Sequence, residues 1–162
     1  MCQKRTSSQK EDSCEPWLEI LRRLYEFQVP MSDLSQIYSL YVRSILEFNC
    51  CVWNFSITEA ETEDIERVQK VACKIILKDS YNSYENALNT LKLENLKERR
   101  RKLCLKFTQH CLKTNKSKGM FPLNDHNKIK VRSNEKFNVN FASTGRLLNS
   151  AIPQMQRLLN EH

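Results

Sequence analysis

Residues 36–54 read QIYSLYVRSILEFNCCVWN, and the spacing of their apolar side chains decides the fold class. Ile37, Leu40, Tyr41, Ile45 and Phe48 recur at the i, i+3, i+4 intervals of an α-helix, and Tyr38, Val42 and Leu46 widen the stripe. A stripe this broad predicts a helix buried on most of its circumference, a pattern met inside a helical bundle. The segment ends in Cys50, Cys51 and Trp53, small or polarizable groups suited to filling space at a helix end.

Working outward, the same periodicity predicts a helix from Pro16, with Trp17, Leu18, Leu21, Leu24 and Tyr25 on one side. Val29-Pro30 ends it, because proline disfavours helical geometry in the residue before it. Thr58 through Glu61 spells a capping box that opens a third helix, whose stripe is Ile65, Val68, Ala72, Ile75 and Ile76. Asn82-Ser83 caps a short fourth helix through Leu91. A fifth is expected from about Glu94 to Thr114, with Leu96, Leu103, Phe107 and Cys111 on its apolar side. Residues 1–15 are polar and are expected not to pack. Beyond the fifth helix, Phe121-Pro122-Leu123 reads as an extended anchor. Phe137 to Phe141 alternates like a strand, and Ser150 to Asn160 accommodates a last helical turn or two. The expected fold class is all-α: a bundle of about five helices over 16–114, followed by an irregular tail over 115–162.

Composition excludes several functions. The 162-residue chain has only two glycines, Gly119 and Gly145. Phosphate-cradling loops and dinucleotide-binding turns require glycine at several close positions, so neither can be built. No run approaches the roughly 18 apolar residues of a membrane span, and seven cysteines without a secretory leader point to a reducing interior, cytoplasm or nucleus. No C-x-x-C occurs, and His110, His126 and His162 make no zinc-finger spacing with any cysteine pair. Neither a metal nor any other cofactor is expected. The five aspartates are isolated, and the acids Glu59, Glu61, Glu63, Asp64 and Glu66 sit where the positive end of the third helix favours them. No catalytic residue is assigned.

Charge provides the one functional lead. The net charge is +7. Residues 97–118 hold nine basic side chains against Glu98 alone, so the rest of the chain is close to neutral. Arg99, Arg100, Arg101, Lys102, Lys106 and Lys113 are the expected contacts to an RNA or DNA phosphate backbone, since a local basic stretch is the footprint of a polyanion. The apolar face of residues 37–53 is a second candidate surface, for a partner helix.

The wording of the sequence adds a resemblance. LRRLYEFQVPMSDLSQIYSLYVRSILEFNCCVWN (21–54), IERVQKVACKIIL (65–77), YNSYENALNTLKLENLKERRRKLCLKF (81–107) and TGRLLNSAIPQMQRLLNE (144–161) resemble, in order and spacing, the region beyond the polymerase domain of non-LTR (LINE-like, jockey-type) retrotransposon reverse transcriptases. Departures are Gln28 for a customary glycine, Ser44 for proline, Phe48 for tyrosine, and residues 1–15 altogether. The resemblance implies a helical region outside the catalytic palm of an RNA-directed DNA polymerase, one that helps to hold template RNA or target DNA. The family's catalytic aspartates lie upstream of this region, and no Tyr/Phe-x-Asp-Asp occurs here. An alternative reading is a helical protein-interaction module, or a transposon remnant without function.

Overall fold

The computed structural model describes residues 7–114, 117, 119–123, 136–139 and 141–161. The fold is all-α, with no strand among the described residues. No helix among them is long and apolar enough to cross a membrane. The chain divides into two units, one of Met1–Phe48 with Ile57–Arg99 and the other of Asn49–Ser56 with Arg100–His162. The expected division ran over 16–114 and 115–162; here the Cys50–Trp53 turn belongs with the later part of the chain, a long-range association that local periodicity does not encode.

In the first unit, α1 (Ser7–Glu26) packs on α5 (Glu59–Leu77). Helix α1 begins well before Pro16, so residues 7–15 are helical, contrary to expectation. Pro16 removes one backbone hydrogen bond from the helix interior. Cys14, Leu18 and Leu21 nevertheless form one buried line through it, and that burial favours continuation of the helix. Residues 1–6 lie outside the described segment.

Helix α1 stops at a residue in the left-handed conformation: Gln28 has φ 58°. Its amide donates to the Tyr25 carbonyl at 2.9 Å, and the Val29 amide donates to Leu24 at 3.2 Å. Glycine adopts this conformation without strain, whereas a side chain with a Cβ costs about 1 kcal/mol there. Gln28→Gly is therefore expected to raise the thermal midpoint by several degrees, read by circular dichroism. An unchanged or lower midpoint would show that the turn is not strained.

The second stretch of the bundle is not one uniform helix. α2 (Met31–Ile37) passes into a π-helical turn (Tyr38–Val42), then α3 (Arg43–Glu47). The Arg43 amide reaches the Tyr38 carbonyl, five residues back. The buried residues are Leu34, Tyr38, Val42 and Leu46, four apart throughout. In a regular α-helix each four-residue step overshoots a full turn by about 40°. The wider π turn rotates less per residue and cancels that drift, which keeps the four on one line. Leu40, expected in the core, is 67% exposed, and Phe48 71%. Tyr41 lies at the surface and stacks on Trp17, with ring centroids 4.7 Å apart.

Thr58 and Glu61 make the capping box of α5, with the Glu61 amide donating to Thr58 Oγ1 at 3.2 Å and the Thr58 amide to Glu61 Oε2 at 2.8 Å. Ser83 caps α6 (Tyr84–Leu91) through the Asn86 amide. Inside this unit runs a buried polar chain. The Tyr38 hydroxyl donates to Gln69 Oε1 at 2.7 Å, and Gln69 Nε2 donates to the Tyr84 hydroxyl at 2.7 Å and the Glu94 carbonyl at 3.0 Å. Tyr84 in turn donates to Glu66. Burial, and then this bond to Glu66, pushes the Tyr84 phenol far above its usual range. Glu66 also accepts the Leu96 amide at 3.1 Å, so it serves the start of the helix that follows α6 and not the start of its own.

The second unit contains α4 (Cys50–Trp53) with a 3₁₀ turn (Asn54–Ser56), α8 (Gly145–Leu148) and α9 (Ala151–Asn160). Its core is Phe121, Phe137 and Met155, with Cys51, Phe55, Cys111 and Leu159 packed against it. Of the strand expected at 137–141, residues 137–139 and 141 are described and form none: Phe137 makes only an isolated antiparallel bridge with Leu123. The backbone of Phe137 is bonded instead by the Asn160 side chain, which accepts its amide at 2.9 Å and donates to its carbonyl at 3.0 Å.

Candidate nucleic-acid interface

The basic residues lie on α7 (Leu96–Lys113), the longest helix after α1 and α5. Its start is fixed by Glu66 on the Leu96 amide and by Asn95 Oδ1, which accepts the Lys97 amide at 2.8 Å. Leu96, Arg100, Cys104 and Thr108 are its buried residues, again four apart. Thr108 satisfies its buried hydroxyl by donating to the Cys104 carbonyl at 2.7 Å.

Three consecutive arginines cannot share one face of a helix, because each residue turns about 100° from the last. Arg99 is half-buried, its Nε 2.5 Å from Glu47. Arg100 is only 1% exposed. Its Nε donates to Asn54 Oδ1 at 2.9 Å, and its guanidinium lies over the Trp53 ring at 5.6 Å. Arg101 is exposed and pairs with Glu161 at 2.5 Å. The Arg100 guanidinium, expected on a phosphate, is thus sealed beneath the surface, and that of Arg99 is half-buried and paired with a carboxylate.

Lys102, Lys106 and Lys113 remain exposed, at helical spacings of four and seven. Gln109 and His110 lie among them and are also exposed. Phe107, expected on the apolar side, is 47% exposed and borders the lysines. A flat ring beside ammonium groups is the pairing that single-stranded nucleic acid uses for stacking and backbone neutralisation. Phe107 stands only about 20° from Leu96 on a regular helical wheel, so its exposure toward the end of α7 is not signalled by periodicity. Lys116 and Lys118, part of the basic run, lie outside the described residues.

The second unit also gathers three thiols that spacing did not connect. Cys50 and Cys51 on α4 meet Cys104 on α7, their sulfurs all within 4.8 Å of one another. The three thiols differ in acidity. Hydrogen bonds from Cys104 and then Cys50 lower the Cys51 thiol to about 4. Cys104 is pushed well up by its hydrogen bonds to Cys50 and Cys51 and by burial. At Cys50 the Cys104 contact favours the thiolate, but the bond to Cys51, burial and the Cys51 charge prevail and raise it to about 11. The six described cysteines are all free of disulfides. No family model, curated protein or solved structure matches the chain.

Proposed function

We propose that the chain is a non-catalytic accessory segment that grips RNA or DNA by its phosphate backbone, of the kind found beyond the polymerase domain of non-LTR retrotransposon reverse transcriptases, and that it works inside the cell. One observation carries the reading: Lys102, Lys106 and Lys113 stand exposed along α7 with Phe107 at their edge. Contacts of this type neutralise phosphates without reading bases, so binding is salt-sensitive and has little sequence preference. The ordered resemblance of residues 21–161 supports the family context, and the local excess of basic charge supports the polyanion.

The test is fluorescence anisotropy with labelled single-stranded RNA over a range of salt concentrations. The Lys102→Glu, Lys106→Glu, Lys113→Glu variant is expected to lose affinity at least ~100-fold, and its log–log salt slope should fall by about 2, as three lost single-strand contacts require. Equal affinity and slope in the variant would sink the proposal. A second reading, a helical protein-interaction surface, is favoured by the exposed Leu40 and Phe48. It would be supported if RNA does not bind and the chain self-associates in high salt, an association that Leu40→Ser abolishes.

A further inference from the structure

We propose that Cys50, Cys51 and Cys104 form a three-sulfur site for a thiophilic divalent ion of the zinc class, with its fourth position left to an exogenous ligand. The geometry comes close to what such an ion requires. Zinc–sulfur bonds of about 2.3 Å place tetrahedral ligand sulfurs about 3.8 Å apart. The three sulfurs here already lie within 4.8 Å of one another, so closing on an ion asks for movements of about an ångström or less.

The donor set selects the ion. It contains sulfur alone, with no carboxylate or imidazole, which disfavours magnesium and calcium and suits zinc, cadmium or cobalt. Cys111 is not the missing fourth ligand. It lies two turns of α7 beyond Cys104, about 10 Å along the axis, too far to share one ion with it.

The surroundings match the charge. A divalent ion on three thiolates carries a net charge of −1. On the same buried line of α7, one turn before Cys104, stands Arg100, with its guanidinium buried and close enough to act electrostatically on Cys50. A buried guanidinium beside the thiols supplies the compensating charge that a desolvated anionic complex requires. The backbone also presents the pair of cysteines. Asn49, at φ 53°, turns the chain after Phe48 and starts α4 at Cys50.

The measurement is a Co²⁺ titration of the reduced full-length chain without oxygen. A thiolate-to-cobalt charge-transfer band should grow, saturate at a single ion per chain, and bleach when Zn²⁺ is added. Cys50→Ser, Cys51→Ser and Cys104→Ser are each expected to weaken Co²⁺ binding at least tenfold, and Cys73→Ser and Cys111→Ser to leave it within twofold. Absence of the band in folded protein, or a band unchanged by Cys104→Ser, overturns the site. Alkylation mapped by mass spectrometry tests it without variants. Zn²⁺ should protect Cys50, Cys51 and Cys104 together, and protection confined to other cysteines would overturn the proposal equally.

Discussion

Glu66→Ala is expected to destabilise the chain by about 3 kcal/mol in urea denaturation, the largest loss among single changes in the first unit. Glu66 is buried, and its carboxylate holds together two features that are remote in sequence: the Tyr84 hydroxyl and the first amide of α7. Alanine removes both acceptors and leaves a half-buried hydroxyl and a buried amide without them. Each such group costs on the order of 1–3 kcal/mol. Behind Tyr84 stands Gln69, which donates to that hydroxyl and accepts from Tyr38, so the loss propagates along the chain of bonds. Glu66→Gln keeps an acceptor for the Leu96 amide and should recover at least half of the loss. If alanine costs less than about 1 kcal/mol, the network does not hold the unit together in the way described.

Arg100→Ala is expected to cost a similar amount, about 3 kcal/mol, and to leave the RNA affinity of the folded fraction within twofold. The side chain fills space against Trp53 and donates to Asn54, so truncation removes packing and hydrogen bonding together. Lysine keeps the charge but lacks the planar fork that lies over the ring, so Arg100→Lys should recover less than half of the stability. Two measurements on one variant decide the matter. A large loss of RNA affinity with little loss of stability would mean that Arg100 reaches the surface after all.

The contrast between Arg100 and Lys106 shows what can be read from sequence. Both belong to one basic run, and composition treats them alike. Only the helical angle separates them, and it could have been computed from the register of Leu96 and Cys104. The capping residues Thr58 and Ser83 were legible because a cap is a local bond between neighbours. The exposure of Leu40 follows from the register of buried Tyr38, two residues before it and so on the opposite side of the helix, a register that the breadth of the apolar stripe conceals. Phe137 alternates with Val139 and Phe141 as a strand does, yet its backbone partner is a side chain from α9, which periodicity cannot anticipate. The thiol trio was hidden for a related reason. Cys104 is separated from Cys50 and Cys51 by the whole of α5 and α6, and no spacing rule spans that interval.

The π turn at Tyr38–Val42 has a consequence for chain length. There the helix holds one residue more than a regular turn needs, and the middle of the turn, at Leu40 and Tyr41, is exposed. Loss of one such residue would restore ordinary α winding, with the residues now at Tyr38 and Val42 three apart and still neighbours on one face. This helix can therefore absorb a one-residue indel in its middle, where most helices would have every later side chain thrown out of register. A single gap between related chains would fall most easily here, inside an element and not in a loop.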